Sequence, residues 1–380
     1  MTHLAVALDG AGRHPAAWRA HGSRPRELFT AGYWTELVLE AERGLLDFVT
    51  FEDGLSLQSS WPDGFDGRLD QVRGRLDAVL LAARVAPLTS AIGLVPGTDT
   101  RHAEPFHVAI GIASLDHVSR GRAGWRPAVP VRQDEGGHFG RRDDPLVESR
   151  LNAEAADFVE VVRRLWDSWE DDAEIRDVAT GRFVDRHKLH YIDFEGEWFS
   201  VRGPSITPRS PQGQPLVAVS ARDVPSYALA GHAADVAFVT PHTRDHAADL
   251  VDQVTATADG SGRDVQVFAD LVVFLDERPG AAAERKVRLD AWDGGALVSD
   301  AYVFTGTPAE LADLIEDWRP AGLTGFRLHA GVLPHDLWGI TRGLVPELQA
   351  RGEFRHRYDT ADLRGRLGLP RPASRYAISP

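Results

Sequence analysis

Two hydrophobic periods take turns along this chain. Short apolar runs of strand length occur at His3–Leu8, Leu45–Phe51, Ala91–Val95, Ala123–Trp125, Leu216–Ser220, Ala234–Thr240, Val265–Leu275 and Leu323–His329. Between them lie stretches whose apolar positions recur every three or four residues, as one face of a helix requires. Tyr33–Arg43 places Leu37, Val38 and Ala41 together, and Leu69–Val85 places Val72, Leu76, Val79, Leu80 and Ala83 together. The strongest is Asn152–Trp169, where Phe158, Val161, Val162, Leu165 and Trp169 share a face. Gly44 and Ser119-Arg120-Gly121 read as helix stops, and Thr307-Pro308-Ala309-Glu310 reads as a capping box that opens another helix.

A strand followed by a helix, eight times over and without adjacent hairpins, predicts a parallel sheet with helices packed outside it. The fold class expected is α/β, a (β/α)8 TIM barrel with insertions. Residues 1–380 read as one such domain. Excursions are expected at 127–150, 170–214 and 276–306, and a C-terminal tail from 344. The first, rich in turn formers and charge, is a candidate lid. The arginines of the tail are either solvated or bound to a neighbouring subunit.

Composition narrows the function classes. The 380 residues are 43% apolar, enough to bury a large core. A formal charge of −14 without a basic stripe argues against nucleic acid as a partner. No apolar run reaches about 18 residues, and the start lacks the pattern of a secretory signal, so no membrane association and a cytoplasmic location are expected. The absence of cysteine excludes disulfides, thiolate metal sites and a cysteine nucleophile. The histidines show no zinc-ligand order, and no metal is expected; His242 and His246, four apart, read as a solvated pair.

The runs EPFHVA, SLDHVS and GRAGW, between Glu104 and Trp125, are long and unusual. They resemble the third- and fourth-strand region of the bacterial luciferase-like flavin-dependent monooxygenases, in particular the subgroup of nitrilotriacetate and dibenzothiophene-sulfone monooxygenases. LWDSWED near Trp169 and the tail segments VPELQARG and LGLPRP are similar to the same subgroup, so the resemblance covers nearly the whole chain. It implies a flavoprotein that uses reduced FMN, supplied by a separate flavin reductase, and oxygen to oxidise a small organic substrate. It also implies an association of identical subunits.

Site residues follow from the same resemblance, position by position. His14, in a G-x-H-x-x-x-W-R frame, matches a histidine that points into the family's active site; a neutral imidazole there relays a proton, or else it caps its loop. Glu52 stands where the family has a small residue, and either pairs with an arginine or occupies part of the flavin seat. Thr98 and Thr100 are candidate donors to the ring edge, while Asp99 between them would repel an electron-rich ring. Arg126 replaces a compact amide and is expected to pair with Glu52 or Asp99; Pro127 and Pro130 remove amide donors, and Leu151 replaces a tyrosine. Ser220, Ala221 and Arg222 match the phosphate seat, Arg222 as a charged fork, with Asp223 either opposing it or capping the next helix. These replacements keep two other readings open: a barrel paralogue that has lost or altered flavin binding and serves as a ligand-binding or partner-subunit protein, and an oxidoreductase that uses a deazaflavin.

Overall fold

The computed structural model describes residues 1–59, 61, 64–130, 132–139, 147–258 and 263–377. Parallel strands β1 (His3–Leu8), β2 (Phe48–Phe51), β3 (Gly93–Asp99), β4 (Gly124–Ala128), β5 (Leu216–Ser220), β6 (Val236–Val239), β7 (Gln266–Leu275) and β9 (Gly325–Ala330) close on themselves, with β9 lying between β7 and β1. This is the expected barrel. The excursion after β7 holds more structure than the sequence pattern predicts: helix α7 (Ala281–Asp293) and a ninth strand, β8 (Tyr302–Gly306). β6 pairs with β7 over Gln266–Ala269, and β8 takes the upper half, Leu271–Leu275.

Outside the ring lie α1 (Ala31–Arg43), α2 (Ala78–Val85), α3 (Pro105–Ser119), α4 (Glu148–Asp167), α5 (Val224–Ala233), α6 (Arg244–Ala258) and α8 (Pro308–Trp318). The capping box at α8 forms as predicted: the Glu310 amide donates to Thr307 Oγ1, and the Thr307 amide donates to Glu310 Oε2. α2 is shorter than the predicted Leu69–Val85. Asp77 caps its start, Gly74 takes a φ of +85°, and Leu69 is exposed. Gly44 ends α1, but the left-handed residue is Leu45. The glycine is needed because a Cβ there would lie 2.6 Å from the Thr341 side chain.

Strand alternation divides the core in two. Outward side chains such as Phe326 and Leu328 of β9 join the helix layer. Inward side chains form a separate cluster in the lower barrel, with Phe48, Phe238 and Phe268 at its centre. Leu363, Leu367 and Leu369 of the tail join that inner cluster and close the barrel floor. Three of the tail arginines are buried within this chain rather than solvated, while Arg357 is exposed. Arg355 pairs with buried Asp47 at 2.6 Å, Arg364 pairs with buried Asp235 at 3.1 Å, and Arg366 donates to the carbonyls of Asp47 and Ala91.

Among the excursions, 170–214 contains two small antiparallel hairpins, and Trp169 Nε1 donates to the Ser205 carbonyl. In the expected lid, Gln133–His138 forms a short helical turn, and the His102 and Phe139 rings stack at 5.1 Å. Residues 131 and 140–146 of that segment lie outside the described residues.

Candidate active site

Halfway up the barrel, the inward positions change from apolar to charged. In β7 the inward sequence is Phe268, Asp270, Val272, and in β9 it is Gly325, Arg327, His329, paired in that register. Arg327 grips Asp270 with two parallel bonds, Nε–Oδ1 at 2.7 Å and Nη2–Oδ2 at 2.6 Å. Its guanidinium lies 3.7 Å from the centroid of the Phe238 ring below, so the charged layer stands directly on the aromatic one.

At the mouth above, Arg126 Nη2 donates to Glu52 Oε2 at 2.7 Å, and Arg327 Nη1 lies 3.9 Å from Glu52 Oε1. β4 explains why Arg126 points inward. Its neighbour Trp125 is turned into the helix layer against Phe158 and Trp166, so the next residue faces the axis. Gly97 of β3 leaves the space: a Cβ there would sit 3.0 Å from Arg126 Nη2.

Charge compensation is nearly complete. Burial alone would raise Glu52, yet the guanidiniums of Arg126 and Arg327 hold its carboxyl down to about 2. Asp270 is likewise held far below its ordinary range by Arg327, against burial. Burial lowers His329, whose Nε2 lies 3.6 Å from Asp270, and keeps its ring neutral at pH 7. Burial also lowers Arg126, and Glu52 opposes that shift.

The pair does not plug the mouth. Beside it opens a cleft of about 430 Å³, within the range of small-molecule and cofactor sites. Its walls are Pro127, Ala128, Val129, Pro130, Leu151 and Val219, with Glu52 and Arg126 on one side and Ser220, Arg222 and Asp223 on another. Ser220 Oγ is buried without a hydrogen-bond partner. Arg222 Nε pairs with Asp300 at 3.0 Å, both side chains partly exposed. The amides at the start of α5 are already engaged: those of Arg222 and Asp223 donate to Ser226 Oγ, and that of Ser226 donates to Asp223 Oδ1. An anionic group at this rim therefore meets the Arg222 guanidinium and the Ser220 hydroxyl, not a free helix N-terminus.

The structure thus brings Glu52, Arg126, Ser220 and Arg222 to one cleft and leaves four other sequence candidates outside it. His14 is buried. Its Nδ1 accepts from the Ala16 amide, and its Nε2 meets Asp290 of α7 at 3.0 Å, so both ring nitrogens are engaged in tying the first loop to that helix. Thr98 faces the helix layer and accepts from Trp125 Nε1 at 2.7 Å. Thr100 is buried against the Ala128 carbonyl. Ala221 is buried, its amide bonded to the Phe238 carbonyl at 2.8 Å. Asp99 does not repel a ring; its Oδ1 accepts from the amides of Arg101 and His102 in its own loop. Asp270, Arg327 and His329 were not among the sequence candidates because their strands read as uninterrupted core. The available signal was polar residues two apart, as in Arg327-x-His329, within an apolar run.

A family model described as luciferase-like monooxygenase matches residues 11–325. The N-acetyl-S-(2-succino)cysteine monooxygenase of Bacillus subtilis is 32% identical, covering 98% of each chain. Component A of nitrilotriacetate monooxygenase from Aminobacter aminovorans is 29% identical over 99% of this chain and 98% of its own. One of the subunits of pristinamycin IIA synthase from Streptomyces pristinaespiralis is 34% identical over 92% of this chain and 93% of its own. Among solved structures, a long-chain alkane monooxygenase superposes with a TM-score of 0.88 at 23% identity, covering 97% of this chain and 95% of that one. A riboflavin lyase with modified FMN and riboflavin superposes at 0.85 and 24% identity, covering 98% and 97%. With its barrel closed as theirs is and the family model spanning strands β2 to β8, the chain belongs to the luciferase-like monooxygenase family and is a flavin-dependent oxidoreductase of that family.

Proposed function

We propose that the cleft beside the Glu52–Arg126 pair holds reduced FMN, delivered by a separate flavin reductase, and that a small organic substrate is oxygenated there. The observation that carries this reading is the cleft itself: apolar walls from Pro127 to Pro130 and Leu151 suit a flat ring. At its edge, the unpartnered Ser220 hydroxyl and the Arg222 guanidinium suit a phosphate. When bound, reduced FMN supplies the electrons that activate oxygen. The chain's own residues do the rest. Glu52 and Arg126 neutralise one another, so the ring meets a wall without net charge.

The resemblance of the chain to a named component A supports a partner reductase. The test is titration of the purified chain with FMN and, separately, with a deazaflavin, followed by fluorescence. Saturable micromolar FMN binding with weaker deazaflavin binding is expected; the reverse order would move the assignment to hydride chemistry.

A second reading has one specific observation behind it, the 34% identity to a protein that is one subunit of a synthase. On that reading, the chain works as the partner of another barrel. Failure to bind either flavin alone, with FMN binding restored by a second luciferase-like chain, would favour it.

A further inference from the structure

Next to the main cleft lies a smaller chamber of about 40 Å³ that shares Glu52, Arg126, Ser220 and Arg222 with it. Arg13, Asp270, Asp300, Arg327 and His329 complete its polar lining. At about 40 Å³ against about 430 Å³ for the main cleft, the chamber suits a small polar group and not a three-ring system.

Four guanidiniums line this chamber against three carboxylates. Arg126 is matched by Glu52, Arg327 by Asp270 and Arg222 by Asp300, while the neutral His329 adds no charge. The surplus cation is Arg13, from the loop after β1, which lines the chamber although the residue as a whole is exposed. It forms no ion pair among the described residues, yet it lies close enough to help hold the Glu52 carboxyl down. Two buried donors in the same walls also lack an acceptor: Arg126 Nε and Arg327 Nη1. Arg126 is 8% exposed and Arg327 only 2%, so solvent does not readily satisfy them. A small group that only accepts hydrogen bonds and carries one negative charge complements such a chamber.

We propose that this chamber seats a carboxylate of the substrate, which makes the substrate an organic acid whose remaining atoms extend into the main cleft. The inference rests on the flavin reading for the occupant of that cleft. A phosphate shares the acceptor chemistry, and the test separates the two sources. Calorimetry on the full chain would compare succinate, its neutral diamide, inorganic phosphate and FMN, with Arg13→Ala and Arg13→Lys variants alongside the parent.

Saturable succinate binding without FMN, at least tenfold tighter than the diamide, is expected. Arg13→Ala should weaken succinate tenfold or more, Arg13→Lys should weaken it less, and FMN affinity should stay within twofold. Equal affinity for succinate and diamide, or succinate binding indifferent to Arg13→Ala, would overturn the proposal. So would an Arg13→Ala effect confined to FMN and phosphate, because the anion seated there would then be the cofactor's. If the parent chain bound succinate but no FMN, the flavin reading would fail and the acid-binding chamber would stand.

Discussion

Arg126 and Glu52 meet at 2.7 Å across the mouth of the barrel, one from the fourth strand and the other from the end of the second. The pair decides whether the cleft beside it is neutral or charged. Removing one partner leaves an uncompensated ion in a poorly hydrated place, and removing both does not. Glu52→Ala is therefore expected to destabilise the chain by about 3 kcal/mol. A Glu52→Met, Arg126→Met double variant should lose clearly less. Urea unfolding of the three proteins measures the difference, and equal losses in the single and double variants would show that the pair is not coupled.

Acid should loosen the mouth within a definite window. The Glu52 carboxyl titrates near 4.5 when unfolded and is held to about 2 when folded. Its contribution is thus fully present above pH 4.5 and is lost as pH falls toward 2. It amounts to at most about 3 kcal/mol. Asp270, also held low, adds a loss of the same sign. Unfolding free energy measured from pH 6 down to pH 3 should fall more steeply for the parent than for the double variant without the pair. Parallel curves would contradict this.

His14 ties a loop to a helix, and its replacement should be felt in stability. His14→Ala removes the Asp290 contact and the acceptor of the Ala16 amide from a buried position, a loss of about 2 kcal/mol. Turnover per folded molecule is expected to stay within about threefold of the parent. A hundredfold fall at unchanged melting temperature, the size typical of a lost acid or base, would restore a proton-relay role.

The phosphate seat can be tested with a ligand that lacks the phosphate. Arg222→Ala should raise the FMN dissociation constant about fivefold, close to 1 kcal/mol for a partly exposed charged contact. Riboflavin affinity should not change. An equal effect on both ligands would place Arg222 against the ring or outside the site.

The barrel floor makes a separate prediction. Leu363 is fully buried beside Phe48, and the methyl groups of its side chain would lie within 3.0 Å of a Cβ added at Gly93. Leu363→Ala should cost about 3 kcal/mol through the cavity it leaves. Flavin affinity at the opposite end should be preserved, and a shallow thermal shift would show that the tail only rests on the barrel.

Much of the architecture was legible from residue order alone. Apolar runs of strand length separated by helical periods left little but a parallel barrel, because each element had one face to bury and no hairpin to join neighbours. Thr307 and Glu310 announced α8 through chemistry confined to four residues, and the family-like runs around SLDH and GRAGW marked the third and fourth strands. The site was less legible. Ser220 and Arg222 came to the cleft, whereas Thr98 lay one residue from facing the axis and accepts the Trp125 indole N–H instead.

Local sequence therefore determined which segments form strands and helices and which ends they turn at, since those follow from periods of two and 3.6 and from caps a few residues long. It left open whether Arg126 would meet Glu52 or Asp99. Only the closed ring decided that, by bringing the second and fourth strand ends together while Asp99 was taken up by amides of its own loop. The same holds for Asp270 with Arg327, and for the tail arginines beneath the floor. An ion pair between distant strands depends on stagger and on which face each residue turns inward, and those are properties of the assembled barrel.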